Sequence, residues 1–281
     1  GWGISDGPMA SEGVARLVAF GGNVVRLPIN AKCWLESPDV KPELRGAVYR
    51  HAVRETVRRI TDRGLRVIID LHWSSPTGKQ SGQEVMADAE HAIPFWTSIG
   101  REFRDDPGVL FDLYNEPYDI SWTCWRDGCR TGEGWRAAGM QEMVDALRAT
   151  GASQPILVGG IDWANDLSRW REFRPVDPAG QLIAAVHIYP TLRCNERSCW
   201  ERTIAPVARH VPVLIGEFGS KDCRQAFARD VMDFADDRGI HWTAWAWHPG
   251  DCSAFPSLIE SWEGEPTVWG KAVKQRLAQR S

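Results

Sequence analysis

One unit recurs seven times along this chain: a short apolar run, a polar residue or two where the run stops, then a stretch whose apolar positions have helical spacing. The runs fall at residues 23–28, 66–72, 109–115, 156–160, 182–188, 213–217 and 241–247. Helical patterns cover 9–20, 45–63, 87–105, 135–150, 165–172, 200–207, 224–238 and 268–279. Strands that alternate with helices and are apolar on both faces predict a parallel sheet covered by helices. Seven strands are one short of a closed barrel, and a helix precedes the first run. Residues 1–5 therefore read as the end of a first strand, cut short at the N-terminus. An open doubly wound sheet is the competing architecture, but no glycine-rich GxGxxG turn follows the first strand. Polar residues gather at nearly every strand end, as they do on the C-terminal rim of a barrel. The expected fold is α/β, a (β/α)8 TIM barrel forming a single catalytic domain over residues 1–281. A chain of this length with 43% hydrophobic residues can bury such a core.

Two of the strand ends carry a glutamate. Val109, Leu110 and Phe111 lead into Asn115 and Glu116, and Pro117 then ends the strand because it has no N–H to give to a ladder. The segment from Val213 to Gly219 repeats the pattern, with Glu217 after an apolar run and a glycine turn beyond it. Two carboxylates facing each other across a cleft are what hydrolysis of a glycosidic bond needs. One delivers a proton to the leaving oxygen and the other sits beneath the oxocarbenium-like carbon. The remaining strand ends hold Arg26, His72, Asp162 with Trp163, His187 with Tyr189, and Trp245 with Trp247. Each has an ordinary explanation taken singly, as an ion pair, a core histidine or packing. Together they converge on one rim.

The formal net charge of −4, without basic runs, argues against nucleic acid or an anionic membrane as partner. No apolar run reaches the roughly eighteen residues that suggest a membrane helix. Fifteen Trp against four Tyr is an excess that suits a neutral sugar, because indole faces stack on pyranose rings. Trp34, Trp73, Trp122, Trp125 and Trp163 are candidates for sugar subsites, with core packing the competing use of each. Of seven Cys, Cys124 with Cys129 and Cys194 with Cys199 read as two small disulfide-closed loops, since neither pair has zinc-site spacing and no His lies close by. Cys223 and Cys252 follow the last two strands and can bridge adjacent loops, leaving Cys33 unpaired. That pattern places folding in an oxidising compartment, and the chain reads as a mature secreted protein whose export signal has been removed.

Six segments together resemble a known family: RLPIN (26–30), DLHW (70–73), LYNEP (113–117), HIYP (187–190), IGEFG (215–219) and WAWHP (245–249). In this order they resemble the motifs of glycoside hydrolase family 5, the cellulase family of retaining β-glycosidases on (β/α)8 barrels. The resemblance covers nearly the whole chain, although the family's first-strand motif is absent or cut short. It implies Glu116 as acid/base, Glu217 as nucleophile, and Arg26, His72, Asn115, His187, Tyr189 and Trp245 as their supporting shell; Trp73 and Trp163 are expected as further sugar contacts from their indoles and not from the resemblance.

The chemistry also follows from the residues. Glu116 must begin protonated, and crowding by Glu217 together with burial would raise its pKa, while Arg26 would keep Glu217 charged. The Asn115 amide suits the sugar 2-hydroxyl, Tyr189 can orient the nucleophile, His72 and His187 offer neutral hydrogen bonds, and Trp245 offers a floor for the ring. The expected activity is a retaining endo-β-1,4-glucanase, acting as a monomer without cofactor or metal. The alternatives are an exo-acting glycosidase walled in by the cysteine-closed inserts, an endo-β-mannanase, a non-catalytic carbohydrate-binding barrel, and a metal hydrolase using His72, His187 and His248.

Overall fold

A computed structural model describes residues 11–221, 223 and 225–279. Its main sheet is parallel and built from β1 (Val24–Asn30), β2 (Arg66–Trp73), β3 (Val109–Asp112), β6 (Ile156–Gly159), β7 (Leu182–Ile188), β8 (Val213–Phe218) and β9 (His241–Trp242), in that order. Two short strands, β4 (Cys129–Arg130) and β5 (Arg136–Ala137), pair separately as an antiparallel hairpin. All seven expected strands are present. The stretch read as a first strand, residues 1–5, lies outside the described residues.

Alternate residues of each strand face opposite sides. Val67, Ile69, Leu71, Phe111, Val186 and Ile215 belong to the large core beneath the helices. Ile68, Leu157, Ala185 and Leu214 form a second, smaller cluster, with Val24, Leu110 and Ile183 packed against it. The sheet curls around this second cluster. Its outer strands β1 and β9 border a common apolar cavity lined by Leu17, Phe20, Val24, Trp242 and Leu277, and Arg26 of β1 touches Glu217 of β8 at 2.6 Å. The fold is a (β/α)8 barrel.

The expected strands over 109–115 and 241–247 are shorter, at Val109–Asp112 and His241–Trp242. Their continuations bend, at Leu113, Asn115 and Trp245, and keep isolated ladder bonds, from Leu113 N to Leu157 O, from Asn115 N to Leu71 O and from Trp245 N to Phe218 O. Most helices fall within a few residues of where the periodicity puts them, as at Gly46–Thr61, Ala89–Phe103 and Val268–Ala278. The helix expected over 135–150 begins only at Met140, after strand β5, and the one expected over 165–172 is a single turn at Trp170–Phe173. The expected helix over 200–207 is instead two short ones, Arg197–Thr203 and Ala205–Ala208. The insert after Glu116 contains an unforeseen helix, Trp122–Asp127, whose start is capped by the Ser121 side chain accepting from Cys124 N. Gly128 ends it at φ 77°, in the left-handed region glycine tolerates, and turns the chain into the β4–β5 hairpin. Disulfides join Cys124 to Cys129, Cys194 to Cys199 and Cys223 to Cys252, and Cys33 is a free thiol.

Two β-bulges lie at the C-terminal rim. In the β1–β2 pairing, Ile29 faces Leu71 and Asn30 faces Trp73, so His72 is the extra residue. In the β7–β8 pairing, Val186 faces Ile215 and His187 faces Glu217, so Gly216 is the extra residue. Bulges re-aim side chains next to sites, and these two set the directions of His72 and Glu217.

Candidate active site

Above the apolar plug the interior turns ionic. Arg26 is almost wholly buried, and its guanidinium reaches Asp70 of β2 at 3.0 Å, Asp112 of β3 at 2.9 Å and Glu217 of β8 at 2.6 Å. It also donates to Asn115 Oδ1 at 2.9 Å. Burial would discharge Arg26, but the three carboxylates outweigh it and hold the charge firmly in place. Asp112, also buried, is pushed up to about 7 by desolvation, with Arg26 opposing. Neither aspartate figured among the site residues expected from the sequence. The signal was present, since a charge inside a buried apolar strand must find a partner.

Glu217 accepts from Arg26 through Oε1 and from the Tyr189 hydroxyl through Oε2 at 2.7 Å. His187 Nδ1 lies 2.9 Å from Glu116 Oε1 and 3.7 Å from Glu217 Oε2, so one imidazole spans the two glutamates. An oxygen of each glutamate and a ring nitrogen of His187 lie within 4.8 Å of one another. Three such atoms can hold a cation in principle, but both Glu217 oxygens already accept from donors. His72, His187 and His248 do not converge as a ligand set among the described residues, and His248 instead packs on Phe255 and Trp262.

The two carboxyls differ in environment. Glu116 is pushed up to about 7, first by burial and then by Asp70, with His72 and Arg26 opposing. Burial therefore leads, where crowding by Glu217 had been expected to share the cause. His187 is pushed down to about 4, mainly by burial, so its ring is neutral near pH 7. His72 is shifted the opposite way. Burial would lower its pKa, but Asp70 Oδ2, 2.6 Å from Nδ1, outweighs burial and raises it. Tyr189 is held well above its usual range by burial and by the glutamates, so it stays a hydroxyl donor.

Aromatic residues divide between core and rim. Trp245 stacks on His72 with centroids 5.4 Å apart and planes 5° from parallel, and the Trp245–Ala246 peptide is cis. Trp73 is half-buried beside the same imidazole. Trp163 is 37% exposed and stacks on Tyr118 at 3.9 Å. Asp162, Trp163 and Ala164 all have positive φ, a conformation costing non-glycine residues about 1–2 kcal/mol each. Hydrogen bonds from Trp163 N to Pro117 O and from His187 N to Ala164 O hold that turn. Such backbone strain clusters at functional sites.

Three tryptophans expected as subsite candidates are core residues instead. Trp34 and Trp125 are fully buried, with their indole N–H groups donating to Ser98 Oγ and Gly159 O, and Trp122 packs on Trp125 and Phe173. A buried indole is favoured by a hydrogen-bond acceptor as well as apolar contact, and the Trp34 and Trp125 sites supply both.

A barrel with two glutamates at opposed strand ends, one buried and proton-retaining and one met by a guanidinium and a phenol, is the architecture of a glycosidase. The chain belongs to the cellulase family, glycosyl hydrolase family 5, whose model matches residues 2–251. Similar proteins include endoglucanase MaCel5A of Microbulbifer sp., 23% identical over 83% of this chain and 45% of the relative. Endo-beta-1,4-glucanase B of Emericella nidulans is 25% identical over 88% of this chain and 75% of its own. The chain spans about half the length of several relatives, covering 45%, 52% and 50% of three of them. A crystal structure of an endo-beta-1,4-glucanase from Xanthomonas axonopodis pv. citri superposes with a TM-score of 0.75 at 19% identity, covering 97% of this chain and 91% of the other. A beta-glucanase from Saccharophagus degradans in complex with cellotetraose superposes with a TM-score of 0.73 at 22% identity, over 93% and 79% of the two chains.

Proposed function

We propose that residues 1–281 form the catalytic domain of a secreted, retaining endo-β-1,4-glucanase. The observation that carries the reading is the glutamate pair itself, with carboxylate oxygens within 4.8 Å, joined through His187 and set in different environments. Such closeness is compatible with double displacement, in which the carboxyl groups stand about 5–5.5 Å apart. Glu116, holding its proton to about pH 7, protonates the leaving oxygen. Glu217 attacks the anomeric carbon from the opposite face and forms the glycosyl ester. Esterification removes the Glu217 charge, and Glu116, now ionised, takes a proton from the water that attacks the ester. The water oxygen bonds to the anomeric carbon as the bond to Glu217 breaks and its carboxylate is restored, and Glu116 recovers its proton.

Asn115 binds the 2-hydroxyl of the sugar at the cleavage point, an interaction that strengthens in the transition state. His72 and Trp245 form one edge of that subsite. Trp73 and the Trp163–Tyr118 stack provide aromatic surface beyond it, where the flat faces of equatorial glucose units can lie. Cellotetraose in the Saccharophagus degradans structure supports a β-1,4-glucan as substrate class. The three disulfides support folding in an oxidising compartment and hence secretion.

Product analysis tests this reading. Soluble β-1,4-glucan, β-mannan and xylan are each digested, and products are followed by mass spectrometry and by NMR of the new reducing end. A ladder of cello-oligosaccharides released first as β anomers is expected. Release of glucose or cellobiose alone, with no longer oligosaccharides, would replace the endo reading with an exo one, and initial α anomers would overturn the mechanism.

A further inference from the structure

The loop after β2 reaches back to the glutamate strand through one side chain that the mechanism has not used. Gln83 donates from Nε2 to the main-chain oxygen of Glu116 at 2.8 Å and to the Tyr114 hydroxyl at 3.1 Å. Its Oε1 accepts from Asn115 Nδ2 at 3.0 Å. Neighbouring bonds fix the same loop to the same strand: Glu84 N donates to the Tyr114 hydroxyl, that hydroxyl donates to Glu84 O, and Tyr118 N donates to Val85 O. Earlier in the loop, the buried Lys32 ammonium holds the carbonyls of Pro76 and Lys79 at 2.7 Å each, with Asp39 as its counter-ion. The loop carrying Gln83 is thus held from both sides.

The donors and acceptors leave each amide one orientation. A guanidinium only donates, so Asn115 must turn Oδ1 toward Arg26 and its NH2 group away. A main-chain carbonyl only accepts, so Gln83 must turn its NH2 group toward Glu116 O and Oε1 toward Asn115. The relay therefore runs Arg26 to Asn115 to Gln83 to Glu116 O with an obligate donor at one end and an obligate acceptor at the other. Asn115 Nδ2 carries two hydrogens. Gln83 takes one, and among the described residues no protein acceptor takes the second.

We propose that Gln83 is a positioning residue that fixes the Asn115 amide so that its second N–H points at the 2-hydroxyl of the sugar being cleaved, while tying the Glu116 backbone to the loop after β2. This rests on the assignment of Asn115 to the 2-hydroxyl given above. Without Gln83, the Asn115 NH2 group loses the acceptor that holds it in the plane of the relay, and the contact is misdirected when it must strengthen. The effect falls on kcat more than on KM, because a 2-hydroxyl contact acts mainly in the transition state.

The test compares an aryl β-cellobioside with its analogue lacking the 2-hydroxyl on the sugar at the cleavage point, for wild type, Gln83→Ala, Gln83→Met and Asn115→Ala. Met fills the glutamine volume without its hydrogen bonds and separates packing from polar positioning. For the 2-hydroxyl substrate, kcat is expected to fall about tenfold in both Gln83 variants, with KM within about twofold. For the 2-deoxy substrate the loss is expected to shrink below about twofold. Wild-type kcat in Gln83→Met, or an equal loss on both substrates, overturns the role of Gln83. If Asn115→Ala itself loses equally on both substrates, the 2-hydroxyl assignment falls and this inference falls with it. If Asn115→Ala shows the contrast and Gln83 variants do not, only the positioning role is refuted.

Discussion

Glu116→Gln should abolish turnover and yet stabilise the protein, by an amount that depends on pH. In the folded chain Glu116 keeps its proton up to about 7, against 4.5 for an ordinary glutamate, because it is buried. Its side chain is 17% exposed, so solvent does little to relieve the cost. Between those two values the folded state binds more proton than the unfolded state, and stability must fall as pH rises. The contribution is fully present below about pH 4.5 and is lost as pH passes about 7. At about 1.36 kcal/mol per pH unit, moving one carboxyl from 4.5 to about 7 is worth at most about 3 kcal/mol. Glutamine has the same shape and no proton to lose, so the variant escapes that penalty. Urea unfolding of both proteins from pH 4 to pH 8.5 measures it: the gap in stability should open with rising pH and level off above about pH 7.5. In wild type, kcat/KM should drop tenfold per pH unit above about 7, as the acid loses its proton. Parallel stability curves for the two proteins would refute the buried, proton-retaining Glu116.

Glu217→Gly should abolish hydrolysis, with azide or formate restoring part of the activity on an activated aryl glycoside and giving inverted product, because a small anion occupies the vacated position. Residual wild-type activity in that variant would remove Glu217 from the mechanism. Gly216→Ala should lower kcat/KM by about tenfold or more, because a Cβ there would lie 3.1 Å from His187 Nε2 and press on the ring that bridges the glutamates. Wild-type kinetics in this variant would show that the position of His187 has slack.

The strands were legible because each is a short apolar run ended by polar residues, and that pattern is local. His72, Asn115, Glu116, His187, Tyr189, Glu217 and Trp245 stood at or near strand ends, so a barrel brought them to one rim without further information, whereas Arg26, expected at a strand end, lies inside β1 and meets them through its long side chain. Asp70 and Asp112 sat inside the same runs and could have been paired with Arg26 by charge alone. Gln83 was beyond such reasoning, since it lies in an irregular loop and its partners are chosen by how that loop folds back. The short helix Trp122–Asp127 was also hidden, because a cap and a disulfide support it instead of a long apolar period. Trp34, Trp122 and Trp125 show the limit of counting indoles, as sequence does not reveal whether a Trp finds its acceptor inside or a sugar outside.

Arg26 sits in β1 and grips side chains from β2, β3 and β8, so it works as a hoop drawn across the mouth of the barrel. On the proposed mechanism, the ester formed at Glu217 cancels the charge that anchors the hoop to β8. The pair to β8 is then lost when the covalent intermediate forms and regained when deglycosylation restores the carboxylate, while the pairs to Asp70 and Asp112 persist throughout. The group that performs the chemistry is thereby also one of the three grips by which a single side chain joins four strands.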